Sequence, residues 1–531
     1  MLDLLVEDAR ILTLDPRYPH ARRIGIWNGR VVGRDDELDG LTPRETVRLD
    51  GATVLPGFVD AHTHLGWCGR SAQSLDLSSV QGRDALLAAI ADHVATTDSE
   101  WIDAVGYDQR NLGGQHITAA ELDTVTAGRK AYLLHRSGHA CAVNSAVLAD
   151  IDPAELASYG GSVVRDAAGA PTGVLLEAAQ GPVQERRRPY ELTEMISSLR
   201  LAAQQCLAQG VTTCAEAGIA AGLAGASPIE LMAYQRANLP IRVQLMVSDL
   251  MLHPLAAAPA DRVTTGLDLG IGTGFGGDRL WLGAMKMWLD GGVQARTAAL
   301  SEPFAGTDNR GELAGDPDEL RAKIVAAHVS GWQLALHAIG DRAIDLAIEA
   351  LGEAQRALPR PDARHRIEHC GIVRPDQLAG LAASGAIAVL QPEFLWHNGD
   401  DYTRVLGEPR AHWQYRGRAL LDAGVPLVGS SDRPVVSGAP LQAMRFMVER
   451  RSNTGLLVGP DEAITVDEAL HAYTMAGAHS IGREDDLGSI APRKWADLAV
   501  LEADPHDVAP EQLSEIGVLA TYVAGDRVYA R

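Results

Sequence analysis

Lysine is almost missing from this chain. Only Lys130, Lys286, Lys323 and Lys494 occur among 47 basic residues; all the others are arginines. Arginine stays protonated and cannot act as a nucleophile, whereas a buried lysine can lose its proton, so a lysine kept inside an apolar segment needs a reason. Cysteine is scarce too: Cys68, Cys141, Cys206, Cys214 and Cys370 are odd in number and irregularly spaced, which excludes a disulfide framework and suits the cytoplasm. No run approaches the roughly 18 apolar residues of a membrane span. The first residues lack the basic segment and apolar core of a signal peptide. Positive charge is in deficit, and a net charge of −22 argues against nucleic acid or an anionic membrane as partner. Internal repeats and low-complexity tracts are also absent. What is present is a globular composition, 46% hydrophobic and 22% charged over 531 residues, enough for a large core and more than one domain.

Polar residues recur at the downstream ends of strand-like runs. Residues 52–59 lead into His62 and His64, whose i, i+2 spacing in a strand puts both imidazoles on one side. Lys286 lies inside the apolar run 280–289. Taken alone, it reads as a strand-edge lysine snorkelling to water. His337 closes run 333–337, His369 closes run 365–369, and Asp432 follows run 426–429. Runs 211–215, 241–247 and 386–390 bring the total to eight, most of them separated by amphipathic stretches such as 192–208. Strands alternating with helices in this number predict an α/β fold, a (β/α)8 TIM barrel. Such barrels carry their active sites at the C-terminal strand ends, so the six polar residues are expected to converge on one metal-binding mouth.

The flanks do not fit the barrel. Segments 1–51 and 480–531 read as short strands and are expected to combine into one small β-sandwich. Segments 52–65 and 190–479 then form the metal-binding barrel. Residues 66–189 form an insertion after the first barrel strand, with a helix over 85–94 among polar, Gly-rich loops, placed to act as a lid or substrate region.

Six motifs carry a family resemblance. They are Leu55-Pro56-Gly57-Phe58-Val59-Asp60-Ala61-His62-Thr63-His64, Met285-Lys286 through Asp290-Gly291 and Ala295-Arg296-Thr297, His337-Ala338-Ile339-Gly340-Asp341-Arg342-Ala343, Arg364-His365-Arg366-Ile367-Glu368-His369, Gly429-Ser430-Ser431-Asp432-Arg433-Pro434 and Lys494-Trp495-Ala496-Asp497-Leu498. With them the chain resembles the amidohydrolase superfamily over nearly its whole length, in the YtcJ-like branch that includes N-substituted formamide deformylases. The resemblance implies two divalent metal ions, zinc as a rule. His62 and His64 would hold one ion and His337 and His369 the other. Lys286, carboxylated by carbon dioxide, would bridge them, and Asp432 would touch the first ion and act as general base. The implied activity is hydrolysis of a non-peptide C–N bond, an N-formyl or N-acyl amide, by metal-activated hydroxide. A deaminase or cyclic-amide hydrolase is the alternative on this scaffold, and a non-catalytic binding protein is the alternative from another class.

Further residues are candidates for substrate contact. His139 matches a family segment near the substrate. Arg296 could bind a substrate carboxylate or pair with a loop acid. Trp67 and Trp288 suggest an apolar substrate, with ordinary packing as the other reading. Cys68 could ligate a metal or fill a small apolar space. Strand alternation puts His365 on the face of His369 and Glu368 on the other, where it would orient neighbours. The expected partner is a small-molecule substrate, with a homodimer as the expected assembly.

Overall fold

Eight parallel strands pair in chain order in the computed structural model: β1 (Phe58–Thr63), β2 (Val211–Ile219), β3 (Arg242–Ser248), β4 (Leu280–Trp288), β5 (Leu334–Ala338), β6 (Arg366–His369), β7 (Ile387–Leu390) and β8 (Leu427–Gly429). A single parallel bridge between Thr63 and Arg433 brings the ends of the sheet together, so the barrel is nearly closed. These strands are buried almost throughout, as parallel strands covered on both faces must be. The structure describes residues 1–531 except Ser137, His139, Gly160, Gly161 and Leu223, together with the side chains of Glu177 and Ala178. His139 therefore lies outside the described residues. Among the described residues no helix is long and apolar enough to cross a membrane.

The chain divides into two units. The first comprises Met1–Leu65, Ala203–Gly225 and Tyr234–Arg531; the second comprises Gly66–Ala202 and Ala226–Ala233, extending past residue 189. In the first unit, the run 52–59 is not one strand. Thr53–Pro56 pairs antiparallel with Leu498–Leu501, and only after Gly57 does the chain enter β1. A Cβ at Gly57 would lie 2.3 Å from the Thr212 side chain, so the close approach there admits no larger residue. The two termini supply a four-stranded and a six-stranded sheet. Leu4, Val6, Ile24, Ile26 and Val31 of the first sheet share one buried cluster with Ile11, Val54, Leu498, Val500 and Tyr522 of the second. In Leu2–Glu7, burial alternates residue by residue, the signature of a strand packed on one face.

The second unit contains a sheet that its sequence did not announce. Val163–Arg165, Pro171–Leu176, Ala140–Val143, Lys130–His135, Trp101–Tyr107 and Leu75–Asp76 make six strands, where helix and loops were expected. Their short length and Ala- and Leu-rich composition hide the strand period. The expected helix is there, over Arg83–Thr96. Trp67 and Cys68 belong to this unit, in the helix Leu65–Gln73, and Cys68 is buried.

One buried ion pair joins barrel to terminal sheet within the first unit. Arg242, at the start of β3, donates to Asp497 at 2.7 and 3.1 Å, and both are almost fully buried. Asp497 also accepts from the Ala524 N–H at 2.8 Å. Asp497→Ala is expected to cost about 3–5 kcal/mol by leaving a buried guanidinium unpaired. Urea denaturation measures this, and a loss below about 1 kcal/mol, the worth of a surface pair, would show that water reaches Arg242.

Candidate metal centre

The six expected ligands occupy the C-terminal half of the barrel. His62 lies within β1 and His64 just after it; Lys286 is two residues from the end of β4; His337 is in β5; His369 ends β6; Asp432 lies three residues after β8. All are buried. Asp432 Oδ1 is 3.0 Å from His64 Nε2 and 3.4 Å from His62 Nε2. Lys286 Nζ is 3.3 Å from His62 Nε2. The His369 ring lies 5.0 Å from that of His62 and 4.4 Å from that of His337.

Backbone pairing at the closing seam produces the tightest part of this group. The Asp432 N–H donates to the His62 carbonyl at 2.8 Å, and the His64 N–H donates to the Arg433 carbonyl at 2.9 Å. Below them, Asp60 accepts from the Ser431 N–H at 2.9 Å and from its hydroxyl at 2.6 Å. Asp432 has φ +59°, a left-handed turn held by these bonds that aims its carboxylate at the two imidazoles.

Carboxylates stand behind the histidines. Glu368 Oε2 accepts from His62 Nδ1 at 2.5 Å, while Arg366 donates to Glu368 at 2.7 and 3.0 Å and to the Ala61 carbonyl at 2.5 Å. Asp290 Oδ1 accepts from His337 Nδ1 at 3.0 Å, and its two oxygens also take the N–H groups of Ile339, Gly340 and Ala299. With Nδ1 donating, both rings turn an Nε2 lone pair outward, the form that binds a metal. Glu216 lies 4.0 Å from His64 Nδ1 and accepts from the Leu65 N–H at 2.5 Å. From the sequence, Asp290 was named only as part of a family motif, with no role, and Glu216 was not named. The available signals were an acid four residues beyond Lys286 and a lone carboxylate inside the otherwise uncharged run of β2.

Electrostatics follow from burial. Burial pushes the Lys286 amine down to about 8 and holds His64 and His369 below the ordinary histidine range. Burial alone would raise Glu368, but the Arg366 guanidinium and the His62 contact hold its carboxyl below the carboxylate range. Asp432 is likewise held low against burial, by His62 and His64. A fit to a metal can be tested on these atoms. Asp432 Oδ1 and His369 Nδ1 are buried and have no hydrogen-bond partner among the described residues. Zinc ligands about 2.1 Å from a common centre lie about 3.4 Å apart in a tetrahedron, close to the spacings seen around Asp432 Oδ1. The donor set fits a divalent ion, and His62, His64 and Asp432 bring one ligand atom each within 4.8 Å of one another.

Two expectations about side-chain placement change. His365 does not share the face of His369: it takes the Leu334 N–H on Nδ1 at 3.1 Å and sets Nε2 2.7 Å from His328 Nδ1. His369 and Cys370 have φ of +71° and +43°, which breaks the alternation and lets the adjacent Glu368 and His369 both reach the site. Arg296 donates to Asp401 at 2.8 Å and to the Val293 carbonyl at 2.6 Å, so it pairs with an acid, one carried by the helix Glu393–Leu406 and not by a loop. Trp288 sets its ring 5.0 Å from Lys286 Nζ, in space kept open by Gly218, where a Cβ would approach the indole to 2.6 Å.

Comparison with known proteins decides the family. The model of the amidohydrolase family matches residues 45–529. The chain belongs to the amidohydrolase family. It is 31% identical to the N-substituted formamide deformylase of Arthrobacter pascens over 100% of this chain and 99% of that protein. It is 29% identical to the YtcJ amidohydrolase of Bacillus subtilis (strain 168) over 93% and 92% of the two chains. The crystal structure of an uncharacterized metal-dependent hydrolase from Pyrococcus horikoshii OT3 superposes with a TM-score of 0.79 at 24% identity, covering 96% of this amidohydrolase and 99% of that chain, which shows a shared fold. The amidohydrolase is thus a hydrolase of carbon–nitrogen bonds outside the peptide class.

Glu368→Gln keeps the shape of the residue behind His62 but removes the charge that pairs with Arg366. The variant is expected to bind metal about 10–100-fold more weakly, the usual effect of losing such a partner. Competition against a chromogenic chelator gives the affinity, and a value equal to the parent's would remove Glu368 from the metal site.

Proposed function

We propose that this amidohydrolase cleaves an N-formyl or N-acyl amide of a small molecule, using two divalent ions, zinc in the first instance. His62, His64 and Asp432 would hold one ion, His337 and His369 the other, and Lys286, carboxylated by carbon dioxide, would bridge them. One observation carries the reading: His62, His64 and Asp432 bring ligand atoms within 4.8 Å, with Lys286 Nζ 3.3 Å from His62 Nε2. The formyl or acyl substrate is supported by the full-length similarity to the N-substituted formamide deformylase. When bound, the ions supply Lewis acidity for water activation and carbonyl polarisation.

The chain's own residues do the rest. The Asp432 carboxylate accepts the proton of the attacking water and returns it to the leaving nitrogen, the general base and then general acid of the cleavage. Lys286 must first react: the lone pair of neutral Nζ forms a bond to the carbon of carbon dioxide and one proton leaves, giving an anionic carbamate. Burial favours this by lowering the amine to about 8. Trp288 lends the site an apolar wall. The arrangement of domains we read as a barrel with one composite β-sandwich, supported by the buried cluster common to both terminal sheets. We assign the protein to the cytoplasm, supported by five cysteines that form no disulfide among the described residues.

Metal analysis is expected to find about two ions per chain in the parent and a clear loss in Lys286→Arg, since arginine forms no carbamate. One ion, unchanged in the variant, would remove the bridge. Asp432→Asn is expected to lose at least about 100-fold in kcat on a simple N-formyl amine while keeping most of its metal, the scale of a lost general base. Near-parental turnover would assign the base elsewhere. In metal-free protein the Lys286 amine is protonated and unreactive below about 8 and neutral above it, so uptake of labelled bicarbonate into Lys286 should rise with pH across that value. Uptake independent of pH would contradict the amine's role.

A further inference from the structure

Beneath the seam that holds Asp432 lie two thiols the chemistry above does not use. Cys206, near the end of the helix Leu192–Ala208, and Cys214, in β2, place their sulfurs 3.7 Å apart, both fully buried. Arg433 donates from Nη1 to Cys206 Sγ at 3.1 Å. The same buried guanidinium donates from Nη2 to Gln209 Oε1 at 2.8 Å and to the Gly438 carbonyl at 2.5 Å, and sets Nε 3.4 Å from Asp60. Arg433 directly follows Asp432, and its carbonyl anchors His64. Cys206 thus shares one arginine with the turn that aims Asp432 and with the strand segment that carries both histidines.

We propose that Cys206 and Cys214 form an oxidisable dithiol, which a hydroperoxide converts to a disulfide, and that this oxidation loosens the metal centre through Arg433. In the first step the Cys206 thiolate attacks a peroxide oxygen, the O–O bond breaks, and the leaving oxygen takes a proton, giving a sulfenic acid and water or an alcohol. In the second, Cys214 sulfur attacks the sulfenic sulfur, the S–O bond breaks, and the thiol proton leaves with the hydroxyl as water. Two electrons pass from the sulfurs to the peroxide. The sulfurs must close from 3.7 Å to a bond of about 2.05 Å, a movement of about 1.7 Å. Arg433 then loses the Cys206 sulfur as an acceptor, because bonding to Cys214 draws that sulfur away from the guanidinium it meets at 3.1 Å.

The surroundings favour this pair over the other cysteines. The hydrogen bond from Cys214 and the Arg433 guanidinium hold Cys206 below the ordinary thiol range against its burial, while the same hydrogen bond and burial push Cys214 well above it. That asymmetry suits an attacking and a resolving thiol. Cys370, beside His369, is pushed up to about 12 by burial. Both sulfurs are fully buried, so a small neutral peroxide would have to reach them through local opening of the helix end.

The dithiol itself stands on its own geometry; its effect rests on the metal-site reading above. The test treats the metal-loaded enzyme with a small excess of hydrogen peroxide, then counts thiols in denaturant, maps peptides without reduction, and follows metal release to a chromogenic chelator. Two of five thiols should disappear, with the Cys206 and Cys214 peptides joined. Metal release should become about tenfold faster, the scale of a lost partner behind a ligand. Dithiothreitol should restore both, and Cys214→Ala should show no change in release. Five thiols retained, or a disulfide joining other cysteines, would overturn the proposal. A Cys206–Cys214 disulfide with unchanged metal release, or equal acceleration in Cys214→Ala, would overturn the coupling to the metal centre. Protein that takes up no metal would defeat the metal-site reading and with it the coupling, while the peptide map still decides the dithiol.

Discussion

The closing seam between β8 and β1 is the constraint on which the site depends. Two backbone hydrogen bonds, Asp432 N–H to His62 and His64 N–H to Arg433, set a carboxylate against two imidazoles. Neither strand could do this alone, because Asp432 must turn through a left-handed conformation that only its neighbours hold in place. Asp60, Ser431 and Arg433 buttress that turn from below. The barrel closes beside the candidate metal site, and the charges buried there include the pairs Glu368 with Arg366 and Asp60 with Arg433.

That pairing also sets the protonation of the ligands. Glu368 and Asp290 each accept a hydrogen bond from a histidine Nδ1–H, which leaves the opposite nitrogen unprotonated, the form that can ligate a metal. Arg366 keeps Glu368 ionised inside the barrel, and three backbone N–H groups donate to the oxygens of Asp290. A buried carboxylate with fewer donors would take up a proton and cease to orient its histidine. The same low-dielectric interior that makes these pairs necessary lowers the Lys286 amine towards reactivity. Orientation of the histidines and the lowered Lys286 amine therefore have one physical origin.

Much of the fold was legible in the sequence because hydrophobic period and strand-end chemistry are local properties. The eight runs, the polar residues that end them, and the short terminal strands around Asn28-Gly29 and 496–501 all follow from neighbours in the chain. The sheet of the second unit was not legible, since its short Ala- and Leu-rich strands carry no clear alternation. The break at Gly57 was hidden for a different reason: it depends on Thr212, a residue far away in sequence. Alternation misplaced His365 because His369 and Cys370 depart from strand geometry.

The sequence by itself determined which residues could carry the chemistry: an isolated lysine in an apolar strand, four histidines and an aspartate at strand ends. Side-chain identity and local period are sufficient for that. Only the tertiary structure decided which acids stand behind the histidines, that Arg296 is engaged by Asp401, and that Cys206 meets Cys214 under Arg433. Those relations join segments from 8 to 306 residues apart, and hydrogen-bond direction and burial exist only once the barrel has closed.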